Sequence, residues 1–293
     1  MSILIDKDTR VMCQGITGNQ ASFYVERAIS FGTNMVAGVR PGKGGIKYLG
    51  LPVYNTVVEA RTKTDANASV IFVPKTAAAD AIVESIEAEM ELIVCITEHI
   101  PVLDMVRVAH VLKGSRSRLI GPNTPGIITP GECRIGIMPG EIFREGSVGI
   151  VSRSSTLTYE AIDQTSAVGL GQSTVIGVGG DPVHGMGFVE CLKLFGDDDK
   201  THAVVLIGEI GGFEEQEAAE YLHSVNYGKP VIAYVVGQYA PDNTRMGHAS
   251  AIIKNESGTA EEKKKTLTDA GVFVVDSPLL LGAQVRQALE TKM

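Results

Sequence analysis

Short runs of apolar and β-branched residues recur along the chain, separated by stretches in which apolar residues return every three or four positions. In the first half, Val11 to Gln14, Met35 to Val39, Ser69 to Val73, Leu92 to Ile96 and Arg118 to Ile120 read as buried parallel strands. Between them Ala21, Val25, Ala28 and Ile29 share a helical face, as do Ile82, Ile86 and Met90, and then Val102, Val106 and Ala109. Turn formers interrupt this rhythm at Gly121-Pro122-Asn123-Thr124-Pro125-Gly126, Thr129-Pro130-Gly131 and Pro139-Gly140. The alternation then restarts, with strands expected at Ser147 to Val151, Ser173 to Val178, Ala203 to Gly208, Val231 to Val236 and Val272 to Val275. Ala218, Leu222 and Val225 mark one intervening helix, and Thr259-Ala260-Glu261-Glu262 is a capping-box pattern opening another that runs through Leu267. Strand, helix, strand at this spacing predicts an α/β protein of two doubly wound domains in series, five strands each. The expected division is 1–125, a linker at 126–146, and 147–293.

A length of 293 residues suits two domains better than one. The 44% apolar content and 33 glycines describe a globular chain with many tight strand-to-helix turns, not a disordered or fibrous one. A net charge of -8 offers phosphate backbones no general attraction, which argues against a nucleic-acid partner. The four cysteines lie far apart without C-x-x-C spacing and read as reduced, mostly buried thiols. No leader-like segment opens the chain and no apolar run approaches the ~18 residues of a membrane span, so a cytoplasmic protein without membrane attachment is expected.

In doubly wound sheets ligands sit at the carboxyl ends of strands. The first strand runs into Gln14-Gly15-Ile16-Thr17-Gly18-Asn19-Gln20, where backbone N–H groups at a helix start would face a phosphate. The spacing is G-x-x-G, not the dinucleotide fingerprint G-x-G-x-x-G. The second strand continues into Arg40-Pro41-Gly42-Lys43-Gly44-Gly45, placing cations where an NAD site would carry an acid, which suits the extra phosphate of coenzyme A or NADP. The plain reading, an ordinary glycine turn with a solvated Lys43, stands beside it. After the fourth strand, Thr97 and Glu98 either meet the same ligand or cap the following helix and favour its dipole.

Three glycine-rich loops of the second half fall at strand ends: Ser152 to Glu160, Gly177 to Pro182 and Gly208 to Gly212. The run Arg245-Met246-Gly247-His248-Ala249-Ser250-Ala251 would form a fourth. Converging hydroxyls, backbone N–H groups and helix starts make an anion site. A neutral imidazole is a competent nucleophile toward phosphorus, and it presents one nitrogen best when the other is held by an acceptor. Glu209 is the acid chosen for that role, because it sits among glycines at a strand end; a helix-start acid is the alternative for it, and a loop histidine with no task the alternative for His248. The other five histidines show no metal-ligand spacing, and no metal is assigned to this chain.

The runs Gln14-Gly15-Ile16-Thr17-Gly18, Pro41-Gly42-Lys43-Gly44-Gly45, Gly121-Pro122-Asn123, Ile150-Val151-Ser152-Arg153-Ser154, Gly179-Gly180-Asp181-Pro182, Ile207 to Gly212 and Arg245-Met246-Gly247-His248-Ala249 closely resemble, in order, those of the succinyl-CoA synthetase α-subunit family. The resemblance implies a Rossmann-like CoA-binding domain followed by a flavodoxin-like ligase domain, and an acid–thiol ligase that forms acyl-CoA from acid, CoA and ATP or GTP through a phosphohistidine and an acyl phosphate. By position it carries Thr17, Gly18, Asn19, Gln20, Lys43, Ile96, Thr97 and Glu98 over as coenzyme A contacts. Tyr159 is carried over as the residue that meets the acid, His248 as the phosphoryl carrier and Glu209 as the acid that steadies it; Ser154, Ser155 and Thr156 are the expected phosphate contacts. It implies a β subunit with an ATP-grasp domain, in an αβ or α2β2 complex. That partner would hold most of the nucleotide and its Mg2+, since this chain shows neither a Walker A motif nor an obvious Mg2+-carboxylate cluster. The chain departs from the family pattern at Thr124, where a cysteine is usual, and at Ser155 and Ser250, where glycines are usual. The loop Gln238 to Thr244 also lacks the usual lysine and glycine. A hydroxymethyl group at Ser155 or Ser250 would reshape a small acyl pocket, so an acid such as malate stands as an alternative to succinate. A NADP-dependent dehydrogenase, favoured only by the first half, and a non-catalytic CoA-binding subunit are the remaining readings.

Overall fold

A computed structural model describes residues 3–292. Among these the chain forms two compact units, one of Leu4–Gly140 with Val183–Gly185, the other of Glu141–Pro182 and the chain from Met186 onward.

In the first unit the elements run β1 (Arg10–Gln14), α1 (Asn19–Phe31), β2 (Asn34–Val39), β3 (Lys47–Tyr48), β4 (Leu51–Tyr54), α2 (Val57–Thr64), β5 (Ala68–Ile71), α3 (Lys75–Glu87), β6 (Leu92–Cys95), α4 (Val102–Lys113) and β7 (Arg118–Ile120), followed by the antiparallel pair β8 (Gly126–Thr129) and β9 (Cys133–Gly136). The sheet order is β3-β4-β2-β1-β5-β6-β7, parallel except for the β3–β4 hairpin. The direction of strand addition reverses between β1 and β5, which places the topological switch point at the Gly15 loop. β5 and β6 are buried at every position, as strands covered by helices on both faces must be.

The second unit carries β10 (Glu145–Ser152), α5 (Ser155–Ala167), β11 (Gln172–Gly177), α6 (Phe188–Asp197), β12 (Ala203–Glu209), α7 (Glu214–Ser224), β13 (Val231–Val236), α8 (Ala260–Asp269), β14 (Phe273–Val274) and α9 (Leu281–Lys292). Five parallel strands take the order β14-β13-β12-β10-β11, the flavodoxin-like order. β12 is buried throughout. In α6, Phe188, Cys191, Leu192 and Phe195 fall at helical spacing and are all buried, an amphipathic stripe facing the sheet.

The expected α/β architecture is thus observed, with differences of detail. Each sheet has seven strands where five were expected; in the first, β4 lengthens the parallel run, and β3, only two residues long, pairs with it through the Leu49-Gly50 turn. Such short strands give alternation too little length to register. The buried side of α4 is Met105 and Val108, whereas Val102 and Val106 are half exposed, because the helix carries apolar residues on both flanks. Ile29 is also exposed, and Val225 lies beyond the end of α7. The stretch 126–146 contains the β8–β9 hairpin. All four cysteines are buried, and none forms a disulfide. No helix among the described residues is long and apolar enough to cross a membrane.

Candidate active site

The second unit gathers its chemistry at the carboxyl ends of β10, β11, β12 and β13. Ser152 ends β10 and turns the chain by bonding to its own neighbour: its Oγ donates to the Ser154 carbonyl at 2.9 Å and accepts from the Ser154 amide at 3.1 Å. Ser154 then caps α5, its hydroxyl accepting from the Leu157 amide. The turn aims Arg153 into the protein, where its side chain is only 6% exposed. Glu209 closes β12, with 5% of its side chain exposed. The loop after β13 brings His248 onto it: Nδ1 lies 2.6 Å from Glu209 Oε2.

The second carboxylate oxygen is equally engaged. Glu209 Oε1 accepts from Arg153 Nε at 3.0 Å, and Ser250 Oγ stands 3.0 Å away as a further donor. The Ser250 oxygen in turn accepts from Arg153 Nη2 at 2.8 Å and lies 2.8 Å from the Gly180 carbonyl. Arg153 Nη1 pairs with Glu214 at the start of α7. Burial alone would raise the Glu209 carboxyl, but the hydrogen bond from His248 and the charge of Arg153 outweigh it and hold Glu209 below the ordinary carboxylate value. The bond to Glu209 raises His248 above its usual 6.5, partial burial opposing it. A carboxylate at Nδ1 holds the ring proton there and leaves Nε2 as the free lone pair of the neutral ring, the arrangement a phosphorus nucleophile needs. Gly180 lies against the imidazole, where a Cβ would have no room. Arg153 and Ser250 also line a cavity of 520 Å3, together with Pro182, Gly211, Phe213 and Ile252.

His248 and Glu209, paired on sequence grounds, are therefore in direct contact. Ser154, Ser155 and Thr156 form the start of α5 on the same sheet edge, where the first N–H groups lack intrahelical acceptors. Ser154 and Thr156 hydroxyls lie 3.3 Å apart, and Tyr159 is half-buried one turn further on. The sequence pattern assigned no role to Arg153 and marked Ser250 only as a group that would reshape the acyl pocket. An arginine immediately after an apolar strand was the available signal for the first; the tie between Ser250 and Glu209 became visible only through its bonds.

In the first unit, Thr17 and Gly18 occupy the turn between β1 and α1, and Asn19 and Gln20 begin the helix. Gly18 is the N-cap and supplies no side-chain cap, so the first amides of α1 remain for an outside acceptor. Gly15 needs to be glycine: its φ is 80°, and a Cβ there would stand 2.9 Å from the Phe72 carbonyl oxygen. Lys43 is exposed in the loop after β2. Ile96 and Thr97 are half-buried and Glu98 exposed after β6; the Thr97 hydroxyl donates to the Val73 carbonyl at 2.7 Å and does not cap α4, whose N-cap is Pro101. A cavity of 550 Å3 opens at the switch point, lined by Gly15, Val39, Arg40, Pro41, Val73 and Pro74 among others. An uncapped helix start, an apolar slot and a cation at one sheet edge fit a ligand with an aromatic base and phosphates, as coenzyme A has. None of the eight contacts expected from sequence lines this slot; Gln14, Gly15, Arg40 and Pro41 of the two glycine motifs do, whereas Val39, Val73 and the α3 residues Ala77, Asp80, Ala81 and Glu84 had no motif to mark them.

Comparison with known proteins finds a family for each half of the chain. The family described as CoA binding domain matches residues 6–99, and the family described as CoA-ligase matches residues 151–273. The α subunit of ADP-forming succinate–CoA ligase from Staphylococcus epidermidis (strain ATCC 12228) is 54% identical over 98% of this chain and 95% of its own length; the same subunit from Staphylococcus aureus (strain N315) is also 54% identical, with the same coverage. Among solved structures, ATP citrate lyase from Methanothrix soehngenii in complex with citrate and coenzyme A superposes with a TM-score of 0.90 at 26% identity, over 99% of this chain and 51% of that one. The apo form of the dinucleotide-forming acetyl-coenzyme A synthetase 1 from Ca. Korarchaeum cryptofilum shares the fold, with a TM-score of 0.75 at 18% identity, over 98% of this chain and 60% of that one. This chain spans about half the length of the citrate lyase.

Proposed function

The chain belongs to the succinate–CoA ligase α-subunit family, and we propose that it is the phosphohistidine-bearing subunit of a nucleoside-diphosphate-forming acid–CoA ligase, with succinate as the acid. The observation that carries this reading is the 2.6 Å contact between His248 Nδ1 and a Glu209 carboxylate locked by Arg153 and Ser250. It leaves Nε2 to attack the terminal phosphorus of ATP or GTP, breaking the bond to the departing diphosphate. The acid's carboxylate oxygen then takes the phosphoryl group, returning the lone pair to Nε2 and giving an acyl phosphate. The thiol of coenzyme A loses its proton, attacks the acyl carbon and expels inorganic phosphate. Dividing the condensation among three transfers is the use of covalent catalysis, and Mg2+ supplied with the nucleotide would neutralise the phosphoryl oxygens.

In this reading Ser154, Ser155 and Thr156 meet the phosphoryl oxygens at the start of α5, and Tyr159 meets the acid. Thr17, Gly18, Asn19, Gln20, Lys43, Ile96, Thr97 and Glu98 hold coenzyme A, with Val39, Arg40 and Val73 walling its slot. The functional division is a CoA-binding domain at 1–125, a connection at 126–146 and a ligase domain at 147–293. A β subunit with an ATP-grasp domain holds the nucleotide and its Mg2+, as αβ or α2β2; the name of the relatives as α subunits supports a β partner. Four buried cysteines, none in a disulfide, support a reducing, cytoplasmic setting.

Titration of the αβ complex with coenzyme A and with NADPH tests the reading against a dehydrogenase: binding of NADPH alone would overturn it. A panel of short acids, assayed with CoA and ATP or GTP, tests the substrate; turnover of malate in preference to succinate would reassign the acid.

A further inference from the structure

One pair of buried charges takes no part in the chemistry above. Lys263, on α8, and Glu215, on α7, have side chains 0% and 1% exposed and form an ion pair. Their hydrogen bonds converge on the residue that holds the imidazole. The Glu209 amide donates to Glu215 Oε1 at 2.9 Å, and Lys263 Nζ donates to the Glu209 carbonyl at 2.8 Å. Lys263 also donates to the Gly211 carbonyl and to Glu215 Oε2. Both backbone groups of Glu209, and the turn that follows it, are thus bonded to one buried pair. The fit around it is close: a Cβ at Gly208 would stand 2.4 Å from Glu215 Oε1.

A buried ion pair is a poor source of stability, since removing its charges from water costs about as much as their attraction returns, and balanced neutral replacements are often tolerated. What such a pair does well is fix direction, because each hydrogen bond to a charged group holds its partner to a narrow geometry. We propose that Lys263 and Glu215 are positioning residues for the phosphotransfer centre, orienting the Glu209 backbone so that its carboxylate meets His248 Nδ1. This inference rests on the reading of His248 as the phosphoryl carrier.

The Glu209 side chain leaves the backbone where β12 ends: beyond it the Ile210 amide still donates to the Val236 carbonyl at 3.2 Å, while the amide and carbonyl of Glu209 itself are taken by the buried pair. A rotation of the Glu209 peptide would swing the carboxylate away from Nδ1, and misplacement by about 1 Å can cost roughly 100-fold in rate. The pair restrains that rotation from both sides of the peptide.

The test is the charge-balanced variant Lys263→Met/Glu215→Gln, purified as the αβ complex beside wild type. The glutamine side chain keeps an acceptor for the Glu209 amide while the two charges are removed together. The expected result is a folded complex with unchanged KM for coenzyme A, whose phosphoenzyme forms about 10- to 100-fold more slowly. The acidic limb of its pH profile is expected to move down toward that of a free imidazole. Phosphorylation at the wild-type rate and pH profile would overturn the proposal. So would failure of this variant to fold, because the pair would then be structural. Absence of any phosphoenzyme in wild type would instead overturn the functional reading on which the inference rests.

Discussion

The imidazole of His248 rests against the backbone of Gly180: a Cβ built at position 180 would stand 2.3 Å from the ring's Cγ and 2.4 Å from Cδ2. Gly180 is not in the left-handed region, so its lack of a side chain answers to the ring and not to its own backbone conformation. Gly180→Ala is therefore expected to expel the imidazole from its place beside Glu209 while leaving the first unit intact. Phosphoenzyme formation should fall by about 100-fold, with coenzyme A affinity unchanged. Rapid-quench labelling and a coenzyme A titration measure the two; labelling at the wild-type rate would show that the ring does not work from this position.

The pH dependence follows from the Glu209 bond. His248 is raised above 6.5, first by the hydrogen bond to Glu209, so the neutral nucleophile accumulates only above that pH and the rate of phosphorylation should rise through the elevated value. Glu209→Gln removes the raising influence: the acidic limb should move to lower pH while the plateau rate falls. The stability effects have opposite signs. Glu209 is lowered, so its contribution is present above the ordinary carboxylate range and is lost as pH falls through its folded value. The His248 contribution is present below its unfolded value and is lost as pH rises through its folded value. A pH–rate profile of both proteins checks the catalytic part; a limb that stays in place in Glu209→Gln would assign the shift to another group.

Ser250 joins three strand ends through one hydroxyl, touching Arg153, Gly180 and Glu209. Ser250→Ala removes a hydrogen bond to charged groups, worth about 1.5–3 kcal/mol. Converted to rate, this is a loss of roughly 10- to 100-fold in phosphotransfer, with little change in coenzyme A binding. Ser250→Thr, which keeps the hydroxyl, should recover part of the loss. Single-turnover rates of the three proteins decide it, and an Ala variant as fast as wild type would reduce Ser250 to packing.

In the first unit, Gly15→Ala places a Cβ 2.9 Å from the Phe72 carbonyl at a φ of 80°. The turn must open where the backbone would approach the ligand. Coenzyme A affinity should weaken by at least about tenfold, or about 1.4 kcal/mol, measured by calorimetry, while the phosphoenzyme still forms. Unchanged affinity would place the CoA site elsewhere.

Much of this organisation was legible in the sequence because it is carried by local patterns. All ten strands expected from apolar runs are present, and Thr259 caps α8 through the Glu262 amide as its spacing predicts. His248 and Glu209 are 39 residues apart, yet glycines flank both and each follows a strand, which marked them as neighbours at one sheet edge. The remaining residues depend on long-range packing. Lys263 stands in a Glu-Glu-Lys-Lys-Lys run that reads as a solvated helix face; nothing local distinguishes it from Lys264, which lies beside the exposed Asp276. Ser250, and Val39 and Val73 in the cavity at the switch point, are likewise ordinary residue types whose neighbours arrive from distant parts of the chain.

The central claim is that His248 carries the phosphoryl group. The direct measurement is incubation of the αβ complex with γ-labelled nucleotide and Mg2+, followed by mapping of the label and a test of its stability in acid and base. The expected result is an acid-labile, base-stable phosphate on His248 that is lost in His248→Asn and discharged on addition of acid substrate and coenzyme A. Equal labelling of wild type and His248→Asn, or turnover of wild type with no labelled protein, would contradict it.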